Sequence, residues 1–459
     1  MKLEIVMFNM SSYVEWQKGI PNRNSNVFNK LLKNPEVGRI IAVDFLPFSF
    51  KRVLRNYWQN IVKKLKIHPI KSCEAGISPK AKLFNRVKNQ KSKITNIYRD
   101  LTTKCVEIKG YQTELYVFST IDSIFSHRLV IKKLNKVLKI INNQSTINNQ
   151  QSTIRVLWSY FPMFVDYFEH TNSAPPRSLR SHFGNANAPM RIGIKADLKV
   201  FDTVDNWIEH PSFVKHKERL KNNYQIIAQK SDLIFTVSKN LIDFFHDLGR
   251  DEDVFWIPNG VDVNHFSKSK FETPKDLQKI PQPIIGYVGV IQQRADLDLL
   301  EYLAEKNPDK SFVLIGPLWP VYFRKLRRPA IEIKKLKKYK NIYLLGRKPY
   351  QISPAYIKNF DVAISPHRLD AFIKYTNSLK VLEYLACGRP VVTTPPSGVE
   401  RFSHLIYIAQ DYQDFNKKLN QAIKDDSTEL REKRIENMKE QDWGLRIKRM
   451  INLIKDKLA

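Results

Sequence analysis

The sequence predicts an α/β protein of two domains, each built around a parallel β-sheet. Short runs of β-branched and aliphatic residues alternate with segments of helical period, the strand–loop–helix–strand order that yields parallel sheets. The chain has 459 residues, 42% of them hydrophobic, too long for one ordinary core and suited to two domains of about 200 residues. A polar, proline-containing stretch over 267–282 follows a tight Asn259-Gly260 turn and reads as a connection between them.

In chain order, residues 3–8 read as the first strand, 27–32 as a helix and 39–44 as the second strand. The polar loop over 16–26 lies at the carboxyl edge of that sheet, where open α/β sheets bind ligands. Residues 51–109 are densely basic (Lys63, Lys64, Lys66, Lys80, Lys82, Arg86, Lys88, Lys91 and Lys93), with Trp58, Leu65, Ile67 and Phe84 interleaved. Such a run suits an anionic membrane face, each cation near the surface adding about 1 kcal/mol. It equally suits a solvated insertion. A strand over 115–119, an amphipathic helix over 121–141, a low-complexity polar loop over 142–153 and a strand over 155–159 follow.

Residues 199–210 read KVFDTVDNWIEH, an apolar strand ending in Asp202 and Asp205 beside Trp207. A carboxylate at a strand end facing a cleft can take a proton or position a hydroxyl; an Asp in such a place also caps helices. Asp205 is the candidate catalytic residue, whereas His210 and His216 read as surface or capping residues. A helix over 211–229, a strand over 233–237 and a helix capped by Ser238 complete the first half.

The second half opens with PIIGYVG, a buried strand running into Gly289, where the absence of a side chain lets backbone approach a ligand closely. Arg294 can fork onto a diphosphate. Asp296 and Asp298 open the next helix as N-terminal acids and imply no metal. A strand over 311–316 precedes a second basic run, with Arg324, Lys325, Arg327, Arg328, Lys334, Lys335, Lys337 and Lys338, then a strand over 341–345. Arg347 and Tyr350 sit in the loop after it. Ser353 starts a helix, residues 361–365 form a strand, and helices cover 411–424 and 430–458.

The most informative stretch is residues 375–394, YTNSLKVLEYLACGRPVVTT. Thr376, Asn377 and Ser378 open a short helix whose Leu379, Leu382 and Leu385 or Ala386 share one apolar face. Gly388 ends it, Pro390 cannot continue it, and residues 391–394 read as a buried strand. Free amides at a helix start form an anion seat. Lys380 adds a cation in the first turn, and Glu383, one turn on, can take two sugar hydroxyls. The same residues would also suit an ordinary αβ unit with a surface Lys and Glu.

Composition bounds the rest. Lys and Arg number 76 against 45 acids, a net charge of +31, which points to an anionic partner or surface or to an AT-rich coding sequence. Three cysteines without metal-ligand spacing make a disulfide framework unexpected. No apolar run is long enough for a signal peptide or a membrane span, so a cytoplasmic protein, soluble or peripheral on the plasma membrane, is expected.

The 375–394 stretch resembles the donor-site helix of the family 4 glycosyltransferases, whose pattern is E-x7-E followed by A-x-G-x-P-V-V. Glu383, Ala386, Gly388, Pro390, Val391 and Val392 match, while Tyr375 stands in place of the first acid. The N-x-x-K before E-Y-L-A is closer to bacterial envelope-polysaccharide transferases of the teichuronic-acid type. The segment VFWIPNGVDVNHF resembles the family's I-P-N-G-V-D connection, residues 199–210 resemble its Y-D-x-V-D-D-W segment, and Trp443 in EQDWGLRIKRM resembles its terminal S-W-x-x-R helix.

The resemblance implies a GT-B fold, two facing Rossmann-like domains over 1–260 and 261–435, with a C-terminal helix over 436–459 crossing back. It implies hexosyl transfer from a nucleotide-sugar to an acceptor hydroxyl, polysaccharide or lipid-linked, without metal or other cofactor. Gly289, Arg294, Arg347, Tyr350, Asn377, Ser378, Leu379, Lys380 and Glu383 are the expected donor-binding residues, and Arg23 and Asn24 the acceptor-binding ones. Three alternatives stand beside this: a degenerate GT-B binding or scaffold protein, a GT-B sugar-nucleotide epimerase, and a basic nucleic-acid-binding protein, although no nucleic-acid motif is present.

Overall fold

The computed structural model describes residues 2–9, 13, 22–45, 94–121, 127–144, 153–167, 193–268, 271–292, 294–318, 335–395 and 398–459. The basic residues 63–93 with their interleaved aromatics, Arg324 to Lys334 of the second run, Gln293 and most of the 142–153 loop lie outside the described residues.

The first domain opens with β1 (Lys2–Asn9), α1 (Arg23–Leu31) and β2 (Val37–Phe45), followed by β3 (Ile94–Arg99), β4 (Thr103–Ile108), β5 (Glu114–Thr120), α2 (His127–Gln144) and β6 (Thr153–Ser159). β7 (Leu198–Thr203), α3 (Lys217–Lys230), β8 (Leu233–Thr236), α4 (Lys239–Asp247) and β9 (Val254–Trp256) complete it. The sheet order is β3-β4-β5-β2-β1-β6-β7-β8-β9. From β5 to β9 every pairing is parallel, and the antiparallel β4 and β3 extend one edge.

Parallel strands covered on both faces must be apolar on both, and β1 shows this residue by residue. Leu3, Ile5 and Met7 enter the core beneath α1; Val6 and Phe8 enter the core beneath α2.

The second domain contains α5 (Val263–Ser267), β10 (Ile284–Val288), α6 (Leu297–Lys306), β11 (Ser311–Ile315), β12 (Ile342–Gly346), α7 (Ser353–Ile357), β13 (Val362–Ser365) and α8 (Leu379–Ala386). Then come β14 (Val391–Thr393), β15 (Tyr407–Ile408), α9 (Tyr412–Asp425), α10 (Thr428–Lys439) and α11 (Trp443–Leu458). Its sheet runs β12-β11-β10-β13-β14-β15, parallel throughout. α8 packs with Val313 and Ile315 on one face; α6 and α9 pack with Phe312 and Leu314 on the other.

The sequence suggests one charged helix over 430–458; the structure divides it. Asp442 starts α11 by accepting from Gly444 N at 2.6 Å, and its other oxygen accepts from Val263 N at 3.3 Å. α10 stays with the second domain, where Met438 is buried. α11 returns to the first and buries Trp443, Ile447, Met450, Ile451 and Ile454 against Val27, Phe28 and Leu31 of α1.

At the crossing the two connections touch. Val261 N donates to Gln441 O at 2.9 Å and Trp443 N to Val261 O at 3.2 Å. A Cβ on Gly260 would lie 2.8 Å from Gln441 O. This glycine is therefore required by the close approach of two chain segments.

Strands β3 and β4 are absent from the sequence expectation. Residues of β3 are exposed or half-buried, so no clean alternation marks them. Asp100 makes the turn, its Oδ1 accepting from Thr102 N at 2.9 Å and Thr103 N at 2.7 Å.

Candidate functional site

The site forms where the carboxyl ends of the two sheets face each other. Its floor on the second domain is the loop after β10, the loop after β13 and the start of α8. The Gly289 loop is packed to backbone thickness. A Cβ on Gly289 would meet Tyr287 Oη at 2.9 Å and Lys380 Cε at 3.1 Å, and a Cβ on Gly316 would lie 1.7 Å from Gly289 O. Only glycines fit, and the Lys380 side chain runs along the loop they make.

Arg294 follows on this loop, its guanidinium over the Phe372 ring at 4.3 Å. Lys380 stands over the Tyr287 ring at 5.5 Å. Burial, aided by the Arg294 charge and opposed by Glu383, lowers its ammonium to a pKa of about 8. Glu383 is buried one turn along, where Tyr350 Oη donates to its Oε1 at 3.3 Å. Burial pushes this carboxyl up to about 7, against the pull of Tyr350 and Lys380. The result is two cations beside a helix start and a glycine loop, with a carboxylate one turn beyond.

The first domain contributes Asp205, half-buried after β7. Burial raises its pKa to about 7, countered in part by Arg294 of the opposite domain. Asp205 caps no helix: the following 3-10 turn is capped by His210, whose Nδ1 accepts from Ser212 N at 3.1 Å. His210 is therefore a capping residue, as expected, but it also packs on Trp207 and, edge to face, on Phe372 of the second domain, ring centroids 5.0 Å apart. Burial and Arg294 hold it down to about 4, so it is neutral near pH 7.

Other contacts hold the helix start against the first domain. Ser238 precedes α4 without capping it; its Oγ donates instead to Tyr375 O at 3.0 Å, and Asn240 Nδ2 donates to Lys374 O at 2.6 Å. Leu379 does not share the apolar face of Leu382 and Leu385: it packs against the first domain's core, because the helix starts at the domain junction.

Several expected site residues have structural partners. Asn377 Oδ1 accepts from Asn259 N at 3.2 Å, its Nδ2 donates to Gly398 O at 2.9 Å, and its carbonyl accepts from Asn259 Nδ2 at 2.8 Å. Its side chain fastens the start of α8 to the interdomain connection. Arg23, read as an acceptor-loop residue, is buried: Nε pairs with Asp202 at 2.7 Å, Nη1 donates to Asn259 Oδ1 at 3.3 Å, and the guanidinium lies 5.9 Å from the centre of the Trp443 ring. Asn24 is buried beside it. Arg347 is exposed on the loop after β12, and Tyr350 packs between His265 and Glu383. Ser378 Oγ is buried without a hydrogen-bond partner at the start of α8.

One residue in the site escaped the sequence reading. His367, two residues beyond β13, is buried; Nδ1 lies 3.3 Å from Arg294 O and Nε2 3.1 Å from Lys380 Nζ. A lone His in SPHRLD carries no motif, and its partners lie 73 and 13 positions away.

Residues 269–441 match the model of the family described as glycosyl transferases group 1. Over 172 residues the chain is 27% identical to a Bacillus subtilis (strain 168) protein provisionally named a teichuronic acid biosynthesis glycosyltransferase, TuaH; the match spans 37% of this chain and 41% of the relative. Among solved structures, Anabaena HepE in complex with UDP-glucose superposes with a TM-score of 0.59 at 12% identity, covering 99% of each chain. Sucrose-phosphate synthase from Thermosynechococcus elongatus superposes with a TM-score of 0.62 at 11% identity, covering 100% of each. The fold is GT-B, and the chain resembles bacterial cell-envelope polysaccharide glycosyltransferases.

Proposed function

We propose that this protein is a glycosyltransferase that moves a hexosyl group from a nucleotide-sugar to an acceptor hydroxyl in the assembly of a cell-envelope polysaccharide or glycolipid. The observation that carries the reading is the convergence of Gly289, Arg294, Lys380 and Glu383 at the start of α8, facing Asp205 of the other domain.

The chemistry asks for little more. Departure of a nucleoside diphosphate builds negative charge, and preorganised cations and amides aimed at it are usually the largest single contribution to such catalysis. Arg294, Lys380 and the first amides of α8 supply that field, which supports departure without a metal. Glu383 takes the ribose hydroxyls, with Tyr350 fixing its carboxylate. Asp205, its pKa near 7, takes the proton of the attacking hydroxyl. Arg294 faces both the leaving diphosphate and Asp205, so it links donor charge to the base across the cleft. UDP is the first donor base to test, because HepE was solved with UDP-glucose and has the same fold. The net charge of +31 and the cations of residues 51–93 support a lipid-linked acceptor at an anionic, cytoplasmic membrane face.

A thermal-shift panel of UDP, GDP, ADP and CMP with their sugars tests the donor site. A ligand at about a hundred times its dissociation constant stabilises by roughly 2.7 kcal/mol. One diphosphate is expected to stabilise the wild type, and Glu383→Gln to lose most of that response. No shift with any nucleotide would remove the transferase reading and favour a scaffold role.

A further inference from the structure

His367 sits between the Lys380 ammonium and the backbone of Arg294, and its bonding pattern follows from elementary valence. The Arg294 carbonyl can only accept, so the hydrogen of the imidazole lies on Nδ1 and is donated to Arg294 O, 3.3 Å away. Nε2 is then an acceptor and takes a hydrogen from the Lys380 ammonium, 3.1 Å away. The backbone that carries the imidazole is fixed by Thr394: His367 N donates to Thr394 Oγ1 at 3.0 Å and Thr394 Oγ1 donates back to His367 O at 2.8 Å. Burial and the neighbouring cations, Lys380 first, hold the ring far below the usual imidazole range, so it remains neutral and can accept. An imidazolium here would repel Lys380 and have no acceptor to offer it.

We propose that His367 is the positioning residue of the donor site, a neutral clamp that fixes the Arg294 loop through Nδ1 and aims the Lys380 ammonium at the donor's diphosphate through Nε2. The inference rests on the donor-site reading above. Lys380 has three N–H donors; His367 takes one and thereby orients the other two. Without the clamp the lysine has a flexible stem over an aromatic ring and no fixed direction, and the loop carrying Arg294 keeps only its backbone bonds to the segment after β13, Arg368 N to Arg294 O at 3.0 Å and Asp296 N to Pro366 O at 2.8 Å. His367 touches no reacting atom in this arrangement. Its effect falls on the diphosphate and not on the nucleoside, whose ribose belongs to Glu383 one turn away.

That separation makes the test specific. Binding of UDP and of uridine, with the GDP–guanosine and ADP–adenosine pairs in parallel, is measured for wild type, His367→Phe, His367→Gln and His367→Asn. Loss of one charge-assisted hydrogen bond weakens binding about tenfold. His367→Phe, which keeps the volume and removes both polar contacts, is expected to weaken the diphosphate about tenfold while nucleoside affinity changes less than twofold. His367→Gln, whose amide reaches the Nε2 position, is expected to recover most of the diphosphate affinity; His367→Asn, which reaches only the Nδ1 position, is not. Equal diphosphate affinity in wild type and His367→Phe overturns the proposal, as does a parallel loss of nucleoside affinity, which marks general disruption. Should His367→Phe not fold, equal affinities in the Gln and Asn variants overturn it. A wild type that binds no nucleoside diphosphate removes the donor-site reading itself, and this inference with it.

Discussion

Single residues in the cleft carry charges that burial disfavours, and this sets testable signs. Asp205 has its folded pKa raised from 3.8 to about 7. A group raised in the folded state stabilises below its unfolded pKa, and that contribution is lost as pH climbs through the folded value. Asp205→Asn should therefore melt higher than wild type, with the difference opening between about pH 4 and pH 7, while transferase activity collapses. A melting difference that does not depend on pH would show that the carboxylate is not held in a disfavoured state. Donor affinity should follow two other groups. It rises as Glu383 ionises near pH 7 and falls as Lys380 loses its proton near pH 8, giving a narrow maximum between them. The groups facing Lys380 are Arg294, Glu383, the Tyr287 ring and neutral His367, and only Glu383 favours the ammonium by its charge. Isothermal titration of UDP from pH 6 to 9 with wild type and Glu383→Gln resolves the limbs: the acid limb should vanish in the variant.

At the scale of elements, the Gly289 loop depends on one close backbone-to-backbone approach. Gly316 follows β11 with φ of +151°, and a Cβ there would come within 1.7 Å of Gly289 O. No side chain can rotate away to relieve a clash with backbone. Gly316→Ala should displace the Gly289 loop, lower the melting temperature by several degrees for a loss of about 1–3 kcal/mol, and weaken nucleotide binding more than either effect alone would suggest. Wild-type affinity in this variant would show that the loop does not touch the donor. The start of α8 has a comparable dependence on Asn377. Its signature Thr376-Asn377-Ser378 was legible as a helix start, and Gly388 ends the helix with φ of +76° as the sequence suggests. What the helix start attaches to was not legible, because Asn377 bonds Asn259, 118 positions away.

For the whole molecule, the crossing of the chain between domains is the structural centre. Arg23, Asp202, Asn259 and Trp443 meet there from α1, β7, the outgoing connection and the returning helix. Arg23→Met would leave Asp202, fully buried, without its cation, a change that typically destabilises by about 3–5 kcal/mol. Trp443→Ala would open a cavity in the first domain's core, again about 3–5 kcal/mol. Urea unfolding measures both. An unchanged midpoint for Trp443→Ala would mean that α11 contributes nothing to the first domain. Among the described residues no helix is long and apolar enough to cross a membrane.

The sequence by itself determined what local periodicity and local stereochemistry can encode. Runs buried on both faces made the parallel strands visible, glycine and proline marked the ends of α8, and the spacing of Lys380 and Glu383 on one short helix suggested phosphate and ribose before any contact was known. The tertiary structure decided which polar side chains face the cleft and which hold the frame. Arg23 looked free in a loop and proved to be paired with Asp202, 179 positions on; Asn377 looked like part of an anion seat and proved to be a fastening to the hinge. His367 had no signal at all and lies between the Lys380 ammonium and the Arg294 carbonyl. The physical reason is the same in each case: a buried polar group must find a partner, the partner is chosen by proximity in space, and no period in the chain records it.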